Sequence, residues 1–203
     1  MRTRPLKLGF LASANGSSAQ AVMDAIEGGR LNAEACLMVS NNRSAAALAW
    51  AQDRGVPALC VPTAADPEAA DRRLADEMAA RGVELIVMSG YLRRLGPAVL
   101  GRYGGRILNI HPGPLPDFGG QGMYGRRVHE AVLAAGLAES SIVIHLVDEE
   151  YDHGPELARR RVPIQPGDTP ETLEARVKAM EPAFFVETLQ QIASGALELP
   201  DAA

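Results

Sequence analysis

Short apolar runs separated by amphipathic stretches recur from residue 6 to the last quarter of the chain. Residues 6–12 read as a buried strand, followed by a polar turn at 13–18. Ala19, Val22, Met23 and Ile26 then share one helical face until Gly28 and Gly29 stop the pattern. Apolar runs at 35–40, 58–61 and 84–88 alternate with helical patterns at 45–53 and 67–81. After a strand at 106–111, Pro112-Gly113-Pro114-Leu115-Pro116 ends regular structure, because each proline fixes its φ and lacks an amide donor. A Gly-rich loop at 119–125, a helix near 126–135 and strands at 141–147 and 157–164 follow. The last helix has Thr169 as its cap and Pro170 at its first position. Leu173, Val177, Met180, Phe184, Leu189 and Ile192 keep its helical spacing, and Pro182 is expected to kink it beside Glu181. This alternation predicts an α/β fold with an open, mostly parallel twisted sheet of about seven strands flanked by helices.

Length adds little except the domain count: 203 residues suit one domain spanning 1–203. The 20 basic and 25 acidic residues leave a net charge of −5, which argues against nucleic acid as a partner. No run approaches the roughly 18 apolar residues of a membrane helix, and the run at 8–12 is too short for the core of a signal peptide. Cys36 and Cys60 sit in apolar runs without metal-ligand spacing, as buried thiols of a reducing compartment do. A soluble, cytoplasmic protein is the expectation.

Three polar sites interrupt the apolar pattern. The turn at 13–18, between a strand and a helix, exposes backbone N–H groups at the positive end of a helix dipole, which suits a phosphate. It lacks the Gly-Lys-Ser/Thr of a P-loop, and Ser17 or Ser18 as a plain helix cap explains it as well. Asn109 and His111 alternate with Ile110, so in a strand they share a face at its carboxyl end, where open α/β sheets place ligands. An amide and an imidazole there can polarise a carbonyl and move a proton, although structural polar pairs at strand ends are common. Asp152, within Tyr151-Asp152-His153-Gly154-Pro155, can charge and orient an imidazole only if the fold brings it to His111; alone it reads as a turn residue. His145 reads as a satisfied strand residue, His129 as surface or packing, and His153 as a turn residue. Tyr124 and Tyr151 suit core packing or loop closure as well as a ligand wall.

Asn109-Ile110-His111-Pro112, Leu115-Pro116 and Asp152-His153-Gly154-Pro155 together resemble the pattern of folate-dependent formyltransferases. The turn at 13–18, Ser89-Gly90-Tyr91-Leu92-Arg93, and Ala175-Arg176-Val177 with Glu181 are similar to the purine-pathway members of that family. The resemblance covers residues 6 to about 195 and implies a Rossmann-like formyltransferase fold. Its N-terminal part would bind a phosphorylated substrate, and its C-terminal part would bind folate and carry the catalysis. The implied reaction moves a formyl group from 10-formyltetrahydrofolate to the amino group of 5′-phosphoribosylglycinamide, with no metal, in a monomer or homodimer. Asn109, His111 and Asp152 are implied as catalytic, and Gly16, Ser17, Ser18, Pro112 and Glu181 as substrate-binding. Leu92, Arg93, Arg94, Leu95, Asn109, Val147 and Asp148 are implied as cofactor-binding. Four departures stand out. Ser18 replaces a common Asn, Gly113 a frequent Ser, and Pro67 an Arg that contacts the cofactor in some members; the loop 118–124 also looks longer.

Formyl transfer to an amine passes through a tetrahedral oxyanion. An amide donor such as Asn109 is worth roughly 3–4 kcal/mol to that charge. Acid–base help from His111 is typically ~10²–10⁴-fold. The rival readings are a formyltetrahydrofolate deformylase with water as acceptor, a methionyl-tRNA formyltransferase, and a non-catalytic phosphate-binding α/β module. The acidic balance disfavours tRNA.

Overall fold

The computed structural model describes residues 4–200. Its first half alternates β1 (Leu6–Leu11), α1 (Ser17–Glu27), β2 (Ala33–Ser40), α2 (Ala46–Asp53), β3 (Ala58–Cys60), α3 (Pro67–Ala80) and β4 (Leu85–Met88). Then come α4 (Pro97–Tyr103), β5 (Ile107–His111), α5 (Arg126–Ala134), β6 (Glu139–Leu146), β7 (Glu156–Pro163) and α6 (Pro170–Ser194). The strands form one seven-stranded sheet in the order β3-β2-β1-β4-β5-β6-β7. The first five run parallel, whereas β6 and β7 pair antiparallel. The expected open sheet is therefore the observed one.

The central strands are apolar on both faces because helices cover both. Phe10 packs with Met23, Phe185 and Leu189, in the layer that holds α1 and α6. Its neighbour Leu11 points the other way, into a layer with Leu37, Met78, Val99 and Ile107 below α3 and α4. No helix among the described residues is long and apolar enough to cross a membrane.

One helix is absent from the sequence reading. The helix α4 was not legible, because seven residues containing Gly101 carry too little periodicity. Its start is fixed from another element: the Asp71 carboxylate on α3 accepts the N–H groups of Gly96 and Ala98, each at 2.8 Å. Gly96 makes that possible, since a Cβ there would lie 2.6 Å from the Asp71 carboxylate. Helix α6 runs from Pro170 to Ser194 with Pro182 inside it. The Thr169 cap holds, with its hydroxyl accepting the Thr172 N–H in a reciprocal capping box.

Candidate active site

Strand order reverses direction between β1 and β4, and such a switch point opens a crevice at the carboxyl ends of the strands. Because β1, β4 and β5 run parallel, the segments after β1 and β4 and the end of β5 all emerge on that edge. They are tied together there. Ser13 donates its N–H to the Gly90 carbonyl at 3.0 Å, and its hydroxyl accepts the Leu92 N–H at 2.9 Å. Ala19 N–H reaches the Ser89 hydroxyl at 3.2 Å, and the Trp50 indole donates to the Asn15 carbonyl at 2.9 Å.

Gly16 caps α1 in the left-handed region, φ 62°, where a side chain is strained. Ser17 is exposed and Ser18 is buried at the helix start.

Asn109 and His111 meet Asp152, which lies 43 residues beyond Asn109, as the sequence required of any partnership between them. The Asn109 amide donates to Asp152 Oδ1 at 3.4 Å, and His111 Nδ1 lies 3.4 Å from Oδ2. Gly120 N–H adds a third donor to Oδ2 at 3.1 Å. Asp152 is the one non-glycine residue with positive φ (55°) among the described residues. Asp tolerates that region better than most residues, and such strain persists where its surroundings over-determine it. Burial works against ionising Asp152, but the hydrogen bonds from His111 and His145, the His111 charge and the Gly120 N–H outweigh it. The carboxyl is held well below the usual carboxylate range.

His145 is the residue that sequence reasoning missed. It stands directly opposite Asn109 in the antiparallel β5–β6 ladder, so the two side chains share a face. Its Nδ1 donates to the Leu146 carbonyl at 2.8 Å, which leaves Nε2 to accept the Asn109 amide at 3.1 Å while the ring is neutral. A charged ring would instead donate to Asp152, 3.4 Å away. The available signal was a lone polar residue inside the apolar run from Ile142 to Val147.

The glycines of the motif have steric reasons. A Cβ at Gly154 would lie 2.0 Å from the Leu146 carbonyl oxygen, and one at Gly119 would lie 2.9 Å from the Asp152 Cβ. A Cβ at Gly113 would lie 2.4 Å from Val128 Cγ1, so α5 crowds any side chain there. The loop after Gly113 also reaches the imidazole: the Phe118 carbonyl accepts from His111 Nε2 at 2.7 Å. Pro112 is half-buried beside these residues in sequence.

On α6, Glu181 is half-buried, and burial pushes its carboxyl above the ordinary value. Lys178 pairs with Glu174 at 2.5 Å, and Arg126 reaches the same carboxylate at 3.0 Å. His129 is buried on α5 with its Nδ1 unpaired, and burial lowers its pKa.

A cavity of about 510 Å³ opens beside the crevice, walled by Val61, Leu74, Tyr91, Leu95 and Leu100. Arg94 and Glu149 stand at its edge, bridged by a hydrogen bond from the Arg94 guanidinium to the Glu149 carbonyl. Of the expected cofactor residues, Arg94 and Leu95 line it; Leu92 and Arg93 lie exposed nearby in sequence. Val147 and Asp148 are half-buried in the facing loop, where Asp148 accepts from His153 Nδ1 at 2.8 Å and raises the His153 pKa.

A doubly wound sheet gathers an amide, two imidazoles and one carboxylate at the carboxyl end of β5, the kind of cluster that group-transfer enzymes carry. Over residues 6–189 the chain matches the formyl transferase family, and it belongs to that family. It is 32% identical to the phosphoribosylglycinamide formyltransferase of Escherichia coli over 191 residues, covering 93% of this chain and 88% of that protein. It is 36% identical to the chloroplastic phosphoribosylglycinamide formyltransferase of Arabidopsis thaliana, over 93% of this chain and 66% of the relative. The chain therefore spans somewhat less than two thirds of that relative's length. The solved structure of the Coxiella burnetii phosphoribosylglycinamide formyltransferase superposes with a TM-score of 0.86 at 36% identity, covering 95% of this chain and 89% of that one.

Proposed function

We propose that this protein transfers the formyl group of 10-formyltetrahydrofolate to the amino group of 5′-phosphoribosylglycinamide, a step of purine biosynthesis. The observation that carries the reading is the convergence of Asn109 and His111 on the single carboxylate of Asp152 at the crevice. The relatives' names supply the substrate, and the acidic balance of the chain disfavours a nucleic-acid acceptor. The cavity suits the folate: its walls are apolar and aromatic, as a flat heteroaromatic ring system needs, and Arg94 offers a polar edge.

In the reaction, the amine lone pair attacks the formyl carbon, the C–N bond forms and the carbonyl electron pair moves to oxygen. Asn109 turns one N–H from Asp152, its longer contact, to that oxygen, while His145 keeps hold of the other. His111 Nε2 leaves the Phe118 carbonyl as the loop shifts, and donates to the same charge. The proton of the amine nitrogen then passes to the folate nitrogen, which leaves with it as its bond to the formyl carbon breaks and the carbonyl re-forms, while His111, held by Asp152, keeps its hydrogen bond to the oxygen until that point. The phosphate is held by the N–H groups at Gly16, Ser17 and Ser18, and the ribose by Glu181. Two small-molecule substrates suffice, in a monomer or homodimer working in the cytoplasm, a setting that the free thiols Cys36 and Cys60 fit.

The test mixes pure protein with 10-formyltetrahydrofolate, with and without phosphoribosylglycinamide. Loss of the formyl group only when the amine is present supports the transferase. Equal loss without amine identifies a deformylase, and no loss at all leaves a binding module.

Glu181 gives a second, separable prediction. Its raised pKa means that the stability it lends is present below the ordinary carboxylate pKa and lost as pH rises through the folded value. Glu181→Gln should therefore raise the melting temperature at neutral pH while raising KM for the phosphorylated amine about tenfold or more. A lower melting temperature with unchanged KM would remove both roles.

A further inference from the structure

We propose, resting on the folate reading above, that this chain binds its cofactor without gain from a poly-γ-glutamate tail. The cavity holds the aromatic body and one carboxylate, and added glutamates stay in solvent. The cavity runs from Tyr91, Leu95 and Arg94 toward the start of α3, where Pro67, Glu68 and Asp71 line it. Its lining carries three carboxylates, Glu68, Asp71 and Glu149, against the one guanidinium of Arg94. Arg72 on α3 is drawn toward Glu68, at 3.7 Å, and Arg93 lies outside the lining.

The backbone offers an anionic tail no better reception. Two helices begin at the cavity, and helix starts are where a carboxylate would otherwise find unpaired N–H groups. Both are partly filled from within the chain. Asp66 accepts the Ala69 N–H at the start of α3, at 2.9 Å, and Asp71 accepts Gly96 and Ala98 at the start of α4. Proline at the first position of each helix, Pro67 and Pro97, removes a further donor. Arg94 remains for a single carboxylate. Each further glutamate adds negative charge beside Glu68, which repels it in low salt.

The test measures Kd by calorimetry, in low salt, for 5,8-dideazafolate bearing one, three or five glutamates. The wild-type protein should bind all three within about twofold. Glu68→Lys should bind the triglutamate at least about fivefold tighter than the monoglutamate, because the sign of the nearest charge has changed. Glu68→Gln should fall between them. Wild-type binding that tightens fivefold or more with three glutamates overturns the proposal, as does Glu68→Lys with no tail preference. No binding of any form, in protein that still transfers formyl groups, overturns the placement of folate in this cavity; loss of formyl transfer as well sinks the functional reading itself.

Discussion

Asp152→Asn should lower turnover by at least about 10²-fold while the protein keeps a cooperative melting transition. Asparagine tolerates the left-handed backbone at this position, so the turn survives and only the charge goes. His111→Ala should cost a similar factor, because the imidazole and the carboxylate act as one unit. Near-normal turnover in folded Asp152→Asn would take the carboxylate out of the mechanism. The pH dependence follows from the same hydrogen bonds. Asp152 is held ionised below its ordinary value of 3.8, so the stability it lends is present above that value and is lost as pH falls through the depressed one. An acid limb in the rate between about pH 5 and 8 therefore reports a group other than Asp152.

Gly154→Ala should destabilise the protein by at least about 2 kcal/mol, read as a lower urea midpoint with an unchanged m-value. The added Cβ meets the Leu146 carbonyl oxygen at 2.0 Å and its carbon at 2.9 Å. Both are backbone atoms of β6, next to His145, and cannot turn aside as a flexible side chain would. Relief of the clash moves the turn that presents Asp152, so turnover should fall with stability. An unchanged midpoint would show that the turn has room, and that the Asp152-x-Gly154 spacing has some other cause.

Much of this molecule was legible beforehand because the relevant signals are local. The apolar runs of β1, β2, β4 and β5 and the capped start of α6 announce themselves through period, proline and glycine. Asn109 and His111 sharing a face follows from strand geometry alone. Where reading failed, a distant residue decided the outcome. The start of α4 depends on Asp71, 25 residues before Gly96. The role of His145 depends on its register opposite Asn109, which an antiparallel pairing between distant segments sets. Gly113 looked like an unexplained departure until Val128 proved to fill the space of its side chain.

By itself the sequence determined the alternating α/β architecture, the polar turn at the head of α1 and the identity of the catalytic candidates. These depend on backbone propensity and short-range spacing, which act within a few residues. Only the tertiary structure decided that Asp152 turns back onto β5, that His145 holds the Asn109 amide, and that a carboxylate from α3 caps the start of α4 beside the cavity. Those contacts join residues that chain spacing leaves unrelated, and the packing of the sheet with its covering layers is what brings them within hydrogen-bonding reach.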